Sequence, residues 1–233
     1  MREESPKPAI TLREEDIANP INPKLPPDQK ADKLCALAAK NRPQIDEFIA
    51  KIDKKFKAKS SSNCKLKVRI LDKAARPDIL KKKSWFGVEH IRDSLRFRTA
   101  LDDFKDLPAL VADLIELGAK IVKTETSKML DPAEWGWRAV MYDIQLEDGQ
   151  LVEYYITFKE MMDANDDPHH ALYEKWRNCT AEQVTARIVE RGKDVDASND
   201  AFDNALETYF KRTGQNMGDI EAACKAADAL TNN

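Results

Sequence analysis

Two runs of alternating apolar residues meet at Asp148-Gly149, and no other feature of the chain restricts its fold as strongly. The runs, Ala139 to Leu146 and Gln150 to Phe158, have the period of two that a half-buried strand requires, and Asp-Gly between them supplies the backbone of a tight hairpin turn. In the second run Val152, Tyr154, Ile156 and Phe158 share one face, which leaves Glu153, Tyr155 and Thr157 on the other. A carboxylate therefore sits mid-strand behind an apolar face. One reading is a strand with one face in water; the other is an acid on the floor of a cleft.

A hairpin alone is not stable in water, so further strands are needed. Strand patterns occur from about Cys64 (Leu66, Val68, Ile70), over Ser94 to Leu101, and over Ala119 to Thr124. Helical spacing predicts a helix from Asp28 to Lys40 and a second one opened by Pro43, with Ile45, Phe48, Ile49, Ile52 and Phe56 on one face. A short helix from about Arg76 to Lys83 and another carrying Leu107, Leu110, Val111 and Leu114, stopped by Gly118, follow the same logic. From Lys159 onward the pattern is helical, with breaks expected near Asp167-Pro168, Gly192 and Gly214. The expected class is α+β: a mixed sheet of about five strands flanked by helices, with a helical C-terminal tail. The expected divisions are a flexible leader over 1–27, which holds six of the eleven prolines, a body over 28–180 and a helical extension over 181–233.

The 233 residues suffice for one buried core, and no run approaches the roughly 18 apolar residues of a membrane span. The N-terminal Met-Arg-Glu-Glu-Ser lacks the apolar centre of a signal peptide, so a cytoplasmic site of action is expected, with no membrane partner. Cys35, Cys64, Cys179 and Cys224 are scattered without a CxxC pair, the pattern of reduced thiols rather than of zinc.

Net charge is −3, yet between Lys51 and Lys83 thirteen Lys or Arg face three Asp. Such a block attracts polyanions: nucleotide phosphates, RNA or an acidic protein all satisfy it, and so does a solvated helix face. The seven glycines form neither a Walker loop nor a dinucleotide fingerprint, so side-chain cations must hold any phosphate.

Asp93 stands at the mouth of the strand that carries Arg96 and Arg98. Together with Glu153 it makes a hard-ligand pair suited to one Mg²⁺, which takes one or two carboxylates and completes its shell with water and phosphate. Gly136-Trp137-Arg138 offers a ring beside a cation, either for stacking on a base or for the core. His170, Tyr173 and Arg177 share a helix face, read as a site or as a surface stripe.

In this order the segments resemble the synthetase domain of the RelA/SpoT-type alarmone synthetases. The resemblance rests on Lys73 and Lys81 eight apart, Asp93 before Arg96 and Arg98, Gly136-Trp137-Arg138, Val152-Glu153-Tyr154-Tyr155-Ile156, and the run from His170 to Arg177, and it covers roughly residues 30 to 180. It implies a nucleotidyltransferase-like fold and transfer of the β,γ-pyrophosphate of ATP to the ribose 3′-hydroxyl of a second nucleotide, with release of AMP and a product like (p)ppGpp or (p)ppApp. It further implies that Lys73, Arg76 and Lys81 bind donor phosphates, that Asp93 and Glu153 hold Mg²⁺, and that Trp137 stacks on the acceptor base. Arg96, Arg98, Arg138, Tyr155, His170 and Tyr173 complete the implied nucleotide site, and Glu153 helps to deprotonate the attacking hydroxyl.

With three histidines and no His-Asp metal motif, a hydrolase partner domain is not expected. A stand-alone synthetase, or a toxin domain released from a longer polypeptide with an immunity-type partner or as a homo-oligomer, fits that pattern. An RNA-directed enzyme of nucleotidyltransferase fold and a non-catalytic interaction protein are the alternatives. The acceptor, whether guanine nucleotide, adenine nucleotide or RNA end, is left open.

Overall fold

A computed structural model describes residues 13–132, 134–166, 170–177 and 179–231, the side chain of His170 excepted. Its centre is a five-stranded sheet in the order β1-β2-β5-β4-β3. The strands are β1 (Lys59–Cys64), β2 (Leu95–Leu101), β3 (Lys120–Glu125), β4 (Val140–Gln145) and β5 (Leu151–Phe158). β2 and β5 run parallel and the other neighbouring pairs are antiparallel, which makes the sheet mixed, as expected. The hairpin closes at Gly149, whose φ of +85° is open to glycine at little cost.

One face of the sheet is the core. Phe97 and Tyr154 stack at 3.9 Å, and Val140, Tyr142, Val152, Ile156 and Phe158 are fully buried beside them. Helices α1 (Pro27–Phe56) and α4 (Leu107–Glu116) cover this face through Phe48, Ile52, Leu110 and Leu114. The tail also belongs to it. α9 (Ile188–Thr213) and α10 (Met217–Thr231) place Phe202, Tyr209, Ile220 and Cys224 in the same apolar cluster, and the Tyr209 hydroxyl accepts from the Phe104 backbone N–H at 2.8 Å. The described part of the extension, 181–231, thus contributes to the same core as the body.

Four local expectations are corrected. α1 is one helix of 30 residues that passes through Pro43. Its buried positions Ala31, Leu34, Ala38, Asn41, Ile45, Phe48 and Ile52 form an unbroken three-four stripe, and Asn41 and Lys40, just before the proline, hold Asp148 and Gln150 of the hairpin turn. Tertiary contacts thereby offset the hydrogen bond that proline removes. The alternation at Leu66, Val68 and Ile70 is not a strand: Lys67–Ala74 is helix α2, and Leu66 and Val68 are 71% and 58% exposed. The first strand is the polar Lys59-Ser-Ser-Ser-Asn-Cys, an edge strand paired only with β2. Gly192 lies inside α9, whereas Gly214, at φ +71°, does end it.

The described part of the leader, 13–27, touches the body. Ile17 and Ile21 are buried, and Asn19 donates to the Glu89 and Ile91 carbonyls and accepts from the Leu151 N–H at 2.7–3.0 Å. Among the described residues no helix is long and apolar enough to cross a membrane.

Candidate active site

The second face of the sheet carries the polar residues, because strand geometry alternates sides. Parallel register places Arg96 beside Glu153 and Arg98 beside Tyr155, while the hairpin places Asp143 opposite Glu153. Asn63 on β1 and Lys123 on β3 extend this row, so Asn63, Arg96, Glu153, Asp143 and Lys123 cross all five strands. An acidic centre is flanked by cations.

Asp93 stands just before β2 and is buried, with its carboxylate held by Lys65 and by Lys73, the latter from α2 at 2.9 Å. Burial works against its charge, but Lys73 and Lys65 outweigh it and hold the carboxyl below the usual range. Glu153 behaves in the opposite way. Burial and then the nearby Asp93 charge push its carboxyl up, with Lys73 and the neighbouring Tyr155 hydroxyl pulling against them. Lys73 and Glu153 line a cavity of about 290 Å³, with Asp93 paired to Lys73 and near enough to Glu153 for the two charges to interact. Burial and the Glu153 charge in turn raise the Tyr155 phenol and keep it neutral.

The wall opposite the sheet is α3 (Pro77–Lys82) with the turn behind it. Lys82, Lys83, Trp85 and His90 line the cavity there, and Arg92 enters in an ion pair with the buried Asp143. Trp85, His90 and Arg92 were not singled out from sequence, and Lys82 and Lys83 only as members of the basic block. Asp143 was legible, since a hairpin centred on Asp148-Gly149 sets residue 143 across from residue 153 on the same face. Arg92 and Lys123 come from separate parts of the chain and carried no such signal.

The fold of this mixed sheet and its helices has counterparts among solved structures. Small alarmone synthetase 2 of Bacillus subtilis superposes with a TM-score of 0.54 at 17% identity, over 78% of this chain and 96% of that one. The chain has the fold of the small alarmone synthetases. The Type VI effector Tas1, solved with its immunity protein, is alike at a TM-score of 0.53 and 16% identity, over 79% of this chain and all of that one. No protein-family model and no curated protein matches the sequence.

Within the alarmone-synthetase fold, several residues expected at the site lie elsewhere. Trp137 is half-buried and packs edge-on against Phe202 of α9, with centroids 5.8 Å apart, so its ring fastens the tail. Arg138 donates to the carbonyls of Met129 and Leu130 at 3.1 and 2.8 Å and holds α5 (Ser127–Leu130). Arg98 turns away from the centre to a two-point contact with Asp166 at 2.8 and 3.0 Å. Lys81 is exposed on α3 and its neighbours Lys82 and Lys83 line the cavity instead. Arg76 forks onto Asp78 at 2.6 and 3.1 Å but stays near enough to Tyr173 and Asp93 to sense their charge. Tyr173, on α7 (His170–Arg177), meets Trp135 edge-on at 6.2 Å. The expectation for His170 falls outside the described side chains.

The basic block is also largely neutralised. Lys51, Lys55, Lys59, Lys65, Lys67, Lys73, Arg76 and Lys83 each reach an acid within 4 Å, mostly one from outside the block. A charge excess along the chain is not one in space, and the alternative of an RNA-tracking surface has no support here. Among the described residues no three acid, His or Cys side chains gather for a metal.

Proposed function

We propose that the chain is an ATP-dependent pyrophosphokinase that transfers the β,γ-pyrophosphate of ATP to the ribose hydroxyl of a nucleotide acceptor. The observation that carries this reading is a cation-walled cavity lined by Glu153 and Lys73, with the buried Asp93 ion-paired to that Lys73. The acceptor oxygen would bond to the β-phosphorus as the bond from that phosphorus to the α-bridging oxygen breaks. AMP leaves with that oxygen. The hydroxyl proton passes to the Glu153 carboxylate, whose proton affinity burial raises toward that of a useful base.

Asp93 and Glu153 would fit a Mg²⁺ because a divalent cation removes the like-charge conflict that, after burial, raises Glu153. When bound, the ion would neutralise the charge that develops on the transferring phosphoryl oxygens. Lys73, Lys82 and Lys83 would hold the donor phosphates and Arg96, beside Glu153, would complete the electrostatic frame. A protein partner of the immunity type is the matching proposal for regulation, by likeness to Tas1.

The test is incubation with labelled ATP, Mg²⁺ and a panel of purine nucleotides, reading AMP and new products. AMP formed together with a pyrophosphorylated acceptor supports the reading; no AMP with any acceptor refutes it.

A further inference from the structure

Glu14 has no part in the chemistry above, yet its carboxylate lies in the cavity. It stands 2.5 Å from Lys83 Nζ and 3.5 Å from Arg92 Nη2. Lys83 follows α3, Arg92 precedes β2, and Lys123, near enough to act on Glu14, sits on edge strand β3. Three distant parts of the chain thus build one anion pocket, and its occupant is a side chain of the protein itself.

The way Glu14 is held indicates that it can leave. The segment is anchored further on, where Asn19 makes three hydrogen bonds and Ile17 and Ile21 are buried. Ahead of that anchor, the turn Glu14–Asp16 has no buried residue. Its ties to the body are the Glu14 ion pairs and a contact of His90 with the Glu15 backbone. The Glu14 and Lys83 side chains are 38% and 36% exposed, the range in which an ion pair is weak and screened. Arg92, by contrast, is fixed from behind by the buried Asp143 and keeps its place when Glu14 goes. With Glu14 present, the cavity lining sets five Lys or Arg against four carboxylates; without it, three carboxylates remain.

We propose that Lys83, Arg92 and Lys123 form a subsite for a phosphate group of a substrate nucleotide, and that Glu14 fills it in the free protein as an internal anion that the phosphate displaces. The inference rests on the nucleotide reading above and adds to it a phosphate subsite and an autoinhibitory contact.

The experiment is calorimetric titration of the full chain with inorganic pyrophosphate, without Mg²⁺, for wild type, Glu14→Gln, Glu14→Asp, Lys83→Gln and Lys123→Gln. Glu14→Gln should bind about threefold to tenfold more tightly, as loss of one or two half-exposed ion pairs allows. Glu14→Asp, which keeps the charge on a shorter stem, should fall between it and wild type. Lys83→Gln and Lys123→Gln should bind more weakly than wild type by a similar factor. Arg92 is left intact because its loss would strand the buried Asp143 charge. Equal or weaker binding by Glu14→Gln overturns the proposal, as does wild-type affinity in both lysine variants. AMP release measured on the same proteins separates the two claims. AMP without the expected order of affinities sinks only the subsite, and that order without AMP sinks only the pyrophosphokinase reading.

Discussion

Lys73 Nζ lies 2.9 Å from Asp93 Oδ1, and this contact ties α2, at the edge of the cavity, to the start of the parallel β2–β5 pair. Lys65 takes the other carboxylate oxygen, so one buried acid balances two ammonium groups. Asp93 is therefore both a structural and a chemical residue.

Asp93→Asn should abolish AMP release. It should also lower stability by about 1–3 kcal/mol, because Lys65 and Lys73 lose their counter-charge in a confined setting. Since the Asp93 carboxyl is held low, the stability it contributes is complete above its unfolded pKa near 4 and is lost as pH falls through the folded value. Urea denaturation from pH 7 to pH 3 should show that loss in wild type and a flatter profile in the variant.

Glu153→Gln should separate stability from activity. The folded protein raises the Glu153 pKa, so ionised Glu153 costs stability at neutral pH, and this cost is relieved as pH falls through the raised value. The variant should melt higher than wild type at pH 7.5, the difference should vanish toward pH 4, and AMP release should be lost. A variant less stable than wild type at pH 7.5 would contradict this account of the site.

Two tryptophans should have opposite phenotypes. Trp137→Ala removes a half-buried ring from Phe202 and should cost about 2 kcal/mol of stability with ATP affinity unchanged. Trp85 lines the cavity with Lys83 5.7 Å from its ring centroid, and Trp85→Ala should weaken nucleotide binding about tenfold with little change in melting temperature. Fluorescence titration and calorimetry read both.

The lysines eight apart should also differ. Lys73→Ala should weaken ATP binding severalfold, since it removes a cation at the acidic floor, whereas exposed Lys81→Ala should stay within about twofold of wild type. Equal losses in the two variants would show that Lys81 reaches the donor when it is bound.

Periodicity alone determined β2, β5 and the hairpin, since their core faces are apolar at every second residue, Thr99 excepted, and Asp148-Gly149 fixes the turn between β4 and β5. It also set Glu153 on the face away from the core, and the hairpin register carries Asp143 with it. Tertiary structure decided the rest. β1 has no apolar alternation, because an edge strand of serines is defined only by its partner, and Leu66-x-Val68-x-Ile70 imitated a strand on a helix with a single buried position. Trp137 could be assigned only once α9 returned Phe202 to it. The charge of the basic block was legible, but its effect was not: Coulomb energy depends on distance in space, and acids as remote in sequence as Glu14, Asp113 and Asp163 fold back onto those lysines.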